Sequence, residues 1–224
     1  MAYMGVDIGT TGAKAVVFLP DGTVAASAYR EYPLIHPRPG WAELDPRRVW
    51  AGVAEVIRES AGRSPEPIQA LAFSALGEAV TPVDARGEPL DNTLIAMDAR
   101  AERECAWLGE QLGRRALFEI TGQPLHPMYS LNKILWWKNN KPEVYRQAHK
   151  FLCWQDYAVA RLGCDPVIDY SLASRMFTFD LRQKTWNTRI LETAGLSPDR
   201  LPLPQPSGTI IGTVSPSAAS GLGL

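Results

Sequence analysis

Residues Tyr3 to Leu19 hold two apolar runs, Tyr3–Ile8 and Ala13–Leu19, pinched around a short polar turn, and this forces a hairpin at the start of the chain. A second turn, Pro20-Asp21-Gly22, separates Ala15–Leu19 from Thr23–Tyr29. Residues 3–32 therefore read as three strands of an antiparallel meander. Their richness in Val and Ala, with little alternation, predicts a sheet covered on both faces.

Within eight residues the first turn gathers Asp7, Gly9, Thr10, Thr11, Gly12 and Lys14. Gly9 and Gly12 carry no side chain and tolerate positive φ, so backbone N–H groups can approach an anion closely. Thr10 and Thr11 add hydroxyl donors, and Lys14 adds a mobile positive charge. Asp7 is placed at the tip of a buried strand, where a carboxylate is costly without a partner such as a hydrated Mg²⁺. The set reads as a phosphate-and-magnesium turn. It is neither a P-loop nor a Rossmann fingerprint, since no Gly is followed directly by Lys and G-x-G-x-x-G is missing. Gly and Thr also populate ordinary hairpin turns. The aspartate at a strand end, two threonines and a lysine favour the phosphate reading.

After a Pro-rich irregular segment, Pro33 to Asp45, Asp45 caps a helix that opens on Pro46. Val49, Val53, Val56 and Ile57 share one face of it, and Gly62 is its stop. Ile68–Ala75 is a short buried strand, and Ala79–Asp84 with Leu94–Met97 reads as a second hairpin. The order β-β-β-α-β fits a ribonuclease-H-like, actin-like arrangement better than a doubly wound sheet. From Ala99 the chain turns helical, with helices at Arg100–Leu112, Leu131–Trp137, Pro142–Ala148, Asp156–Leu162 and Thr185–Ala194. Asp169–Ser174 reads as a capped helical turn, and Phe151–Cys153, Met176–Phe179 and Thr209–Val214 as strands.

A net charge of −1 argues against a nucleic-acid partner or an anionic membrane held by bulk electrostatics. No apolar run is long enough to span a bilayer, and the N-terminus lacks signal-peptide regions. Cys105, Cys153 and Cys164 are odd in number without C-x-x-C spacing, which predicts buried thiols in a reducing cytoplasm. His36, His126 and His149 are scattered and predict no metal cluster.

Several ordered motifs now carry a resemblance. They are Asp7-Ile8-Gly9-Thr10-Thr11-Gly12-Ala13-Lys14, Gly40-Trp41-Ala42-Glu43-Leu44-Asp45-Pro46 and Ser130 to Trp136 with Lys133. Asp156-Tyr157 and Asp169 to Ser174, followed by Asp180 and Trp186, complete the set. In this order the chain resembles the N-terminal, sugar-binding domain of the FGGY carbohydrate kinases, over residues 1–224. The resemblance implies an α/β, ribonuclease-H-like (actin-like ATPase) domain with three antiparallel strands in a mixed sheet, flanking helices and a helical insertion. It implies transfer of the ATP γ-phosphoryl group to a hydroxyl of a sugar, sugar acid or polyol. A non-catalytic carbohydrate-binding or regulatory domain on the same scaffold is the alternative.

By the same resemblance Asp7 organises Mg²⁺ through water, while Gly9, Thr10, Thr11 and Lys14 contact the ATP phosphates. Gly77 and Glu78 lie in a substrate loop, where a carboxylate suits two sugar hydroxyls because it only accepts. Asp98 and Arg100 match a W-x-D-x-R motif whose Trp is replaced here by Ala96. The segment His126–Lys133 most resembles its gluconate-kinase form, and Met128 replaces a tyrosine that contacts substrate in glycerol kinases. The C-terminal ATP-binding domain, with the general base, is expected to lie outside this chain. A homodimer is among the expected assemblies.

Overall fold

The computed structural model describes residues 1–224. Strands β1 (Ala2–Ile8), β2 (Gly12–Phe18) and β3 (Val24–Glu31) form the meander, with Asp7 opposite Lys14 in the first pair. Burial along β1 alternates: Ala2, Met4, Val6 and Ile8 point inward, whereas Tyr3 and Asp7 are exposed. The expectation of a sheet covered on both faces is thus corrected. Small residues blur the alternation in sequence, and one face of the meander stays open.

The short β4 (Glu43–Leu44) precedes α1 (Pro46–Gly62). Asp45 caps that helix by accepting from the Arg47 and Arg48 amides, and Val49, Val53, Val56 and Ile57 are buried against the sheet. Burial of each such side chain contributes about 1.5–3 kcal/mol. Strand β5 (Ile68–Ala75) then returns parallel to β1, giving the order β3-β2-β1-β5. Three meandering strands and a parallel fourth, joined by a crossover helix, make the ribonuclease-H-like arrangement.

Leu76 to Ala79 lead into a second sheet of order β4-β7-β6-β8, built from β6 (Val80–Val83), β7 (Thr93–Leu94) and β8 (Lys150–Cys153). The Pro-rich segment supplies β4 as its edge strand, where missing donors are tolerated. The second arm of the expected hairpin is reduced to Thr93–Leu94.

Helices α2 (Glu102–Leu112), α3 (Arg114–Thr121), α4 (Ser130–Asn140) and α5 (Pro142–Gln147) come before β8 in the chain. Helix α3 had no counterpart in the sequence reading; it buries Leu117 and Thr121 and follows Gly113, whose φ is 83°. Beyond β8 come α6 (Trp154–Arg161), β9 (Val167–Asp169), α7 (Tyr170–Ser174), β10 (Phe179–Asp180), β11 (Thr185–Trp186) and α8 (Thr188–Ala194). The strand expected at Met176–Phe179 is displaced to β10. The last predicted helix starts three residues late, because β11 pairs with β10 and Asn187 caps α8 through the Ile190 amide.

The chain closes with β12 (Leu203–Gln205), parallel to β9, and α9 (Pro216–Leu222). Thr209–Val214 forms no strand; the ladder forms at β12 instead. Cys105 and Cys153 are buried and free, but Cys164 is only half buried, with its thiol donating to the Thr213 carbonyl at 3.5 Å.

Candidate functional site

Strands β1 and β5 run parallel, with Asp7 beside Ser74 and Ile8 beside Ala75, and the Leu76 amide donates to the Ile8 carbonyl at 2.9 Å. The turn after β1 and the loop after β5 therefore emerge side by side from one end of the sheet. Ligands favour such a place, outside the carboxyl ends of parallel strands.

The first turn is closed by the Gly9 amide donating to the Gly12 carbonyl at 2.9 Å, and Tyr32 donates its hydroxyl to the Gly9 carbonyl at 2.6 Å. Neither glycine has a positive φ. Their lack of side chains matters for another reason. A Cβ on Gly12 would lie 2.5 Å from the Tyr29 hydroxyl and 2.7 Å from the Arg30 carbonyl; on Gly9 it would lie 3.1 Å from the Gly12 carbonyl. The expectation of a conformational role is replaced by one of steric room.

Asp7 is exposed, contrary to the buried strand tip expected, so its charge carries little desolvation cost. Lys14, across the ladder, is exposed too, as is Thr11, while Thr10 is half buried. Burial and the negative charge of Asp7 hold the Tyr32 hydroxyl well above the usual phenol range. No group of three or more His, Cys, Asp or Glu side chains converges anywhere in the chain. A single exposed carboxylate fits a hydrated Mg²⁺, which keeps several waters and takes its other oxygens from a phosphate-bearing ligand.

The loop after β5 is built differently. Glu78 is buried and has a φ of 53°, a conformation that non-glycine residues seldom adopt. Its carboxylate faces the guanidinium of Arg175, which also donates to Gln123 at 3.1 Å and lies 5.3 Å from the centre of the Tyr129 ring. The Arg175 side chain is 34% exposed, so part of it still meets solvent. Gly77 packs beside Arg175, with the position of a built Cβ 3.5 Å from Arg175 Cγ. Beneath the loop, Lys133 is fully buried on α4, and its Nζ donates to the carbonyls of Glu78 at 2.5 Å and Met128 at 2.6 Å. Burial pulls its pKa down to about 7, against the raising influence of Asp98 and Glu78. Gly77, Glu78 and Met128 are thus brought together.

Asp98 and Arg100 form a buried knot of their own, near enough to Lys133 for their charges to act on its amine. Asp98 accepts from the Ala42 amide at 2.7 Å and from Arg100 Nε and Nη2 at 2.8 and 2.7 Å. Arg100 also pairs with Glu43 at 2.6 Å, and its guanidinium lies 3.8 Å from the Trp41 ring centre and 4.9 Å from that of Trp136. Both side chains are at most 1% exposed, so each is occupied by its partners rather than by solvent. His126 is a loop residue whose Nδ1 accepts from the Met128 amide.

Sequence reasoning missed Arg175, Gln123 and Tyr129 as neighbours of Glu78. One signal lay close by: Arg175 directly follows the Asp169–Ser174 motif. Asp169 caps α7 through the Leu172 amide at 2.8 Å and so fixes where that arginine emerges.

A family model described as "FGGY family of carbohydrate kinases, N-terminal domain" matches residues 2–224. A gluconokinase of Bacillus subtilis is 33% identical over 225 residues, covering 100% of this chain and 44% of the relative. Among solved structures, gluconate kinase from Lactobacillus acidophilus superposes with a TM-score of 0.93 at 28% identity, over 100% of this chain and 45% of that one. Xylulose kinase from Rhodospirillum rubrum gives 0.94 at 28% identity, over 100% and 46%. The chain spans less than half the length of these relatives.

Proposed function

The chain belongs to the FGGY family of carbohydrate kinases, as its N-terminal domain, and we propose that it supplies the sugar-holding side of an ATP-dependent carbohydrate kinase. The observation that carries this reading is the parallel pairing of β1 with β5, which sets the phosphate turn beside the Glu78 loop. A donor phosphate and an acceptor hydroxyl can then meet across one edge of the sheet. Phosphoryl transfer needs mainly that positioning, together with charge neutralisation.

In this proposal Lys14 and the hydroxyls of Thr10 and Thr11 bind the ATP phosphates, and Gly9, without a side chain, lets them approach the turn. Asp7 is the residue that holds Mg²⁺ through water, and the ion would screen phosphate charge when bound. Glu78 accepts sugar hydroxyls, with Gly77 and Met128 lining the approach. Asp98 and Arg100 brace Trp41 and Glu43 from within their buried knot. The Arg175 side chain, about a third exposed and already paired with Glu78, offers a cation for a substrate carboxylate, which makes D-gluconate the first probe, with D-xylulose and glycerol as comparisons. The general base and the rest of the nucleotide cleft belong to a C-terminal domain outside this chain. No helix is long and apolar enough to cross a membrane, and a cytoplasmic setting is part of this proposal.

Calorimetry with these three compounds tests the reading. Binding of at least one is expected, weakened about tenfold or more in Glu78→Ala through loss of a charged acceptor. Equal binding by the variant would remove Glu78 from the site. A coupled ADP-release assay on the 224-residue chain is expected to show little turnover. Turnover near that of a full-length relative would overturn the division of labour.

A further inference from the structure

Helix α4 is buried around its whole circumference from Ser130 to Trp137, and Lys133 sits in the middle of that stretch among Leu131, Ile134, Leu135 and Trp137. An ammonium in such a place is costly, and an apolar side chain of similar size would pack at least as well. Its hydrogen bonds point to a reason for keeping it. Both go to backbone carbonyls, and the two carbonyls belong to different loops, Glu78 after β5 and Met128 before α4. Glu78, whose carbonyl it grips, is one of two buried non-glycine residues at positive φ, Phe177 being the other, and its carboxylate faces Arg175. A left-handed backbone at a non-glycine residue is disfavoured and persists only where its surroundings hold it.

We propose that Lys133 is a positioning residue for the sugar site, clamping the Glu78 and Met128 loops together so that the Glu78 carboxylate is held in its left-handed, Arg175-facing pose. The inference rests on the sugar-site reading given above. Lys133 touches no substrate; it acts through the two carbonyls. Around its amine stand the carboxylates of Glu78 and Asp98, the Cys153 thiol and the Arg100 guanidinium. The two carboxylates favour the charged amine and the guanidinium opposes it, while its donors go to the loop carbonyls.

The test compares the 224-residue chain with Lys133→Met and Lys133→Gln, the second retaining a shorter, uncharged N–H donor group. Two readouts are taken: calorimetric binding of D-gluconate, D-xylulose and glycerol, and NMR amide and carbonyl signals across the chain. Lys133→Met is expected to weaken sugar binding about tenfold or more, with Lys133→Gln between it and the wild type. Signals of Gly77 to Ala79 and of Met128 should move, while those of the β1–β2 hairpin stay in place. Unchanged loop signals, or unchanged affinity where the wild type binds, would overturn the clamp. If the wild type binds none of the three sugars, the functional reading fails, and the loop signals still decide the clamp. Should neither variant fold, amide exchange in the wild type decides. Glu78 and Ala79 exchanging as slowly as α4 supports the clamp, and exchange at open-loop rates overturns it.

Discussion

Gly12 and Lys133 show how single residues are held to one identity for opposite reasons. At Gly12 there is no room: an added methyl would strike the Tyr29 hydroxyl and the Arg30 backbone. Gly12→Ala should destabilise the chain by about 1–3 kcal/mol, the usual cost of overpacking, and chemical denaturation would reveal it. A variant as stable as the wild type would show that β3 yields easily. At Lys133 there is room but a charge to hide. Its pKa in the fold is about 7, whereas the unfolded lysine titrates at its ordinary 10.5. Between these values the unfolded chain binds more protons, so the penalty is full below pH 7 and relieved as pH rises towards 10.5. Relative to Lys133→Met, the wild type should gain stability through that window at up to about 1.4 kcal/mol per pH unit. Parallel stability curves for the two proteins would contradict this. The neutral amine keeps two N–H donors, enough for both carbonyls. Local chemistry made the Asp7–Lys14 turn legible, because its donors and small residues are contiguous. The pairing of Lys133 with Glu78 was not, since 55 residues separate them.

Among the elements, those that carry their own signals were found where the sequence placed them. Helix α1 has a capping aspartate, a proline at its first position and a stripe of Val49, Val53, Val56 and Ile57, and it spans Pro46–Gly62 as expected. Ile57→Ala should cost about 2–5 kcal/mol, because the cavity opens between α1 and the sheet. Thermal or denaturant unfolding measures it, and a loss below 1 kcal/mol would mean the site collapses around the gap. Two-residue strands such as β4, β7, β10 and β11 carry no comparable signal. Each exists only because a distant backbone offers a ladder. The strand expected at Thr209–Val214 fails for the same reason in reverse: the pattern is present, but β9 pairs with Leu203–Gln205.

For the whole molecule, two hydrophobic clusters meet at the second sheet. Val80, Phe151 and Cys153 belong to the cluster around α4, whereas Val83 and Leu152 belong to the one beneath α1. Strands β6 and β8 thus present opposite faces to the two cores. The chain should therefore unfold in one cooperative step, with tryptophan fluorescence and far-ultraviolet circular dichroism tracing the same transition. Two separated transitions would show that the cores fold independently. The loop that joins the two sheets carries Gly77 and Glu78, so the proposed site lies between the two cores.

By itself the sequence determined the meander, the capped crossover helix and the residues gathered in the first turn, since these depend on neighbours within a few residues. It also carried the order of motifs that marks the family. Only the tertiary structure decided that Glu78 meets Arg175 and Lys133, that Asp98 and Arg100 are consumed in a buried knot under Trp41, and that Asp7 stands exposed. Those outcomes depend on which distant backbones come within hydrogen-bonding reach and on what is left uncovered when the sheet closes. No local pattern encodes either.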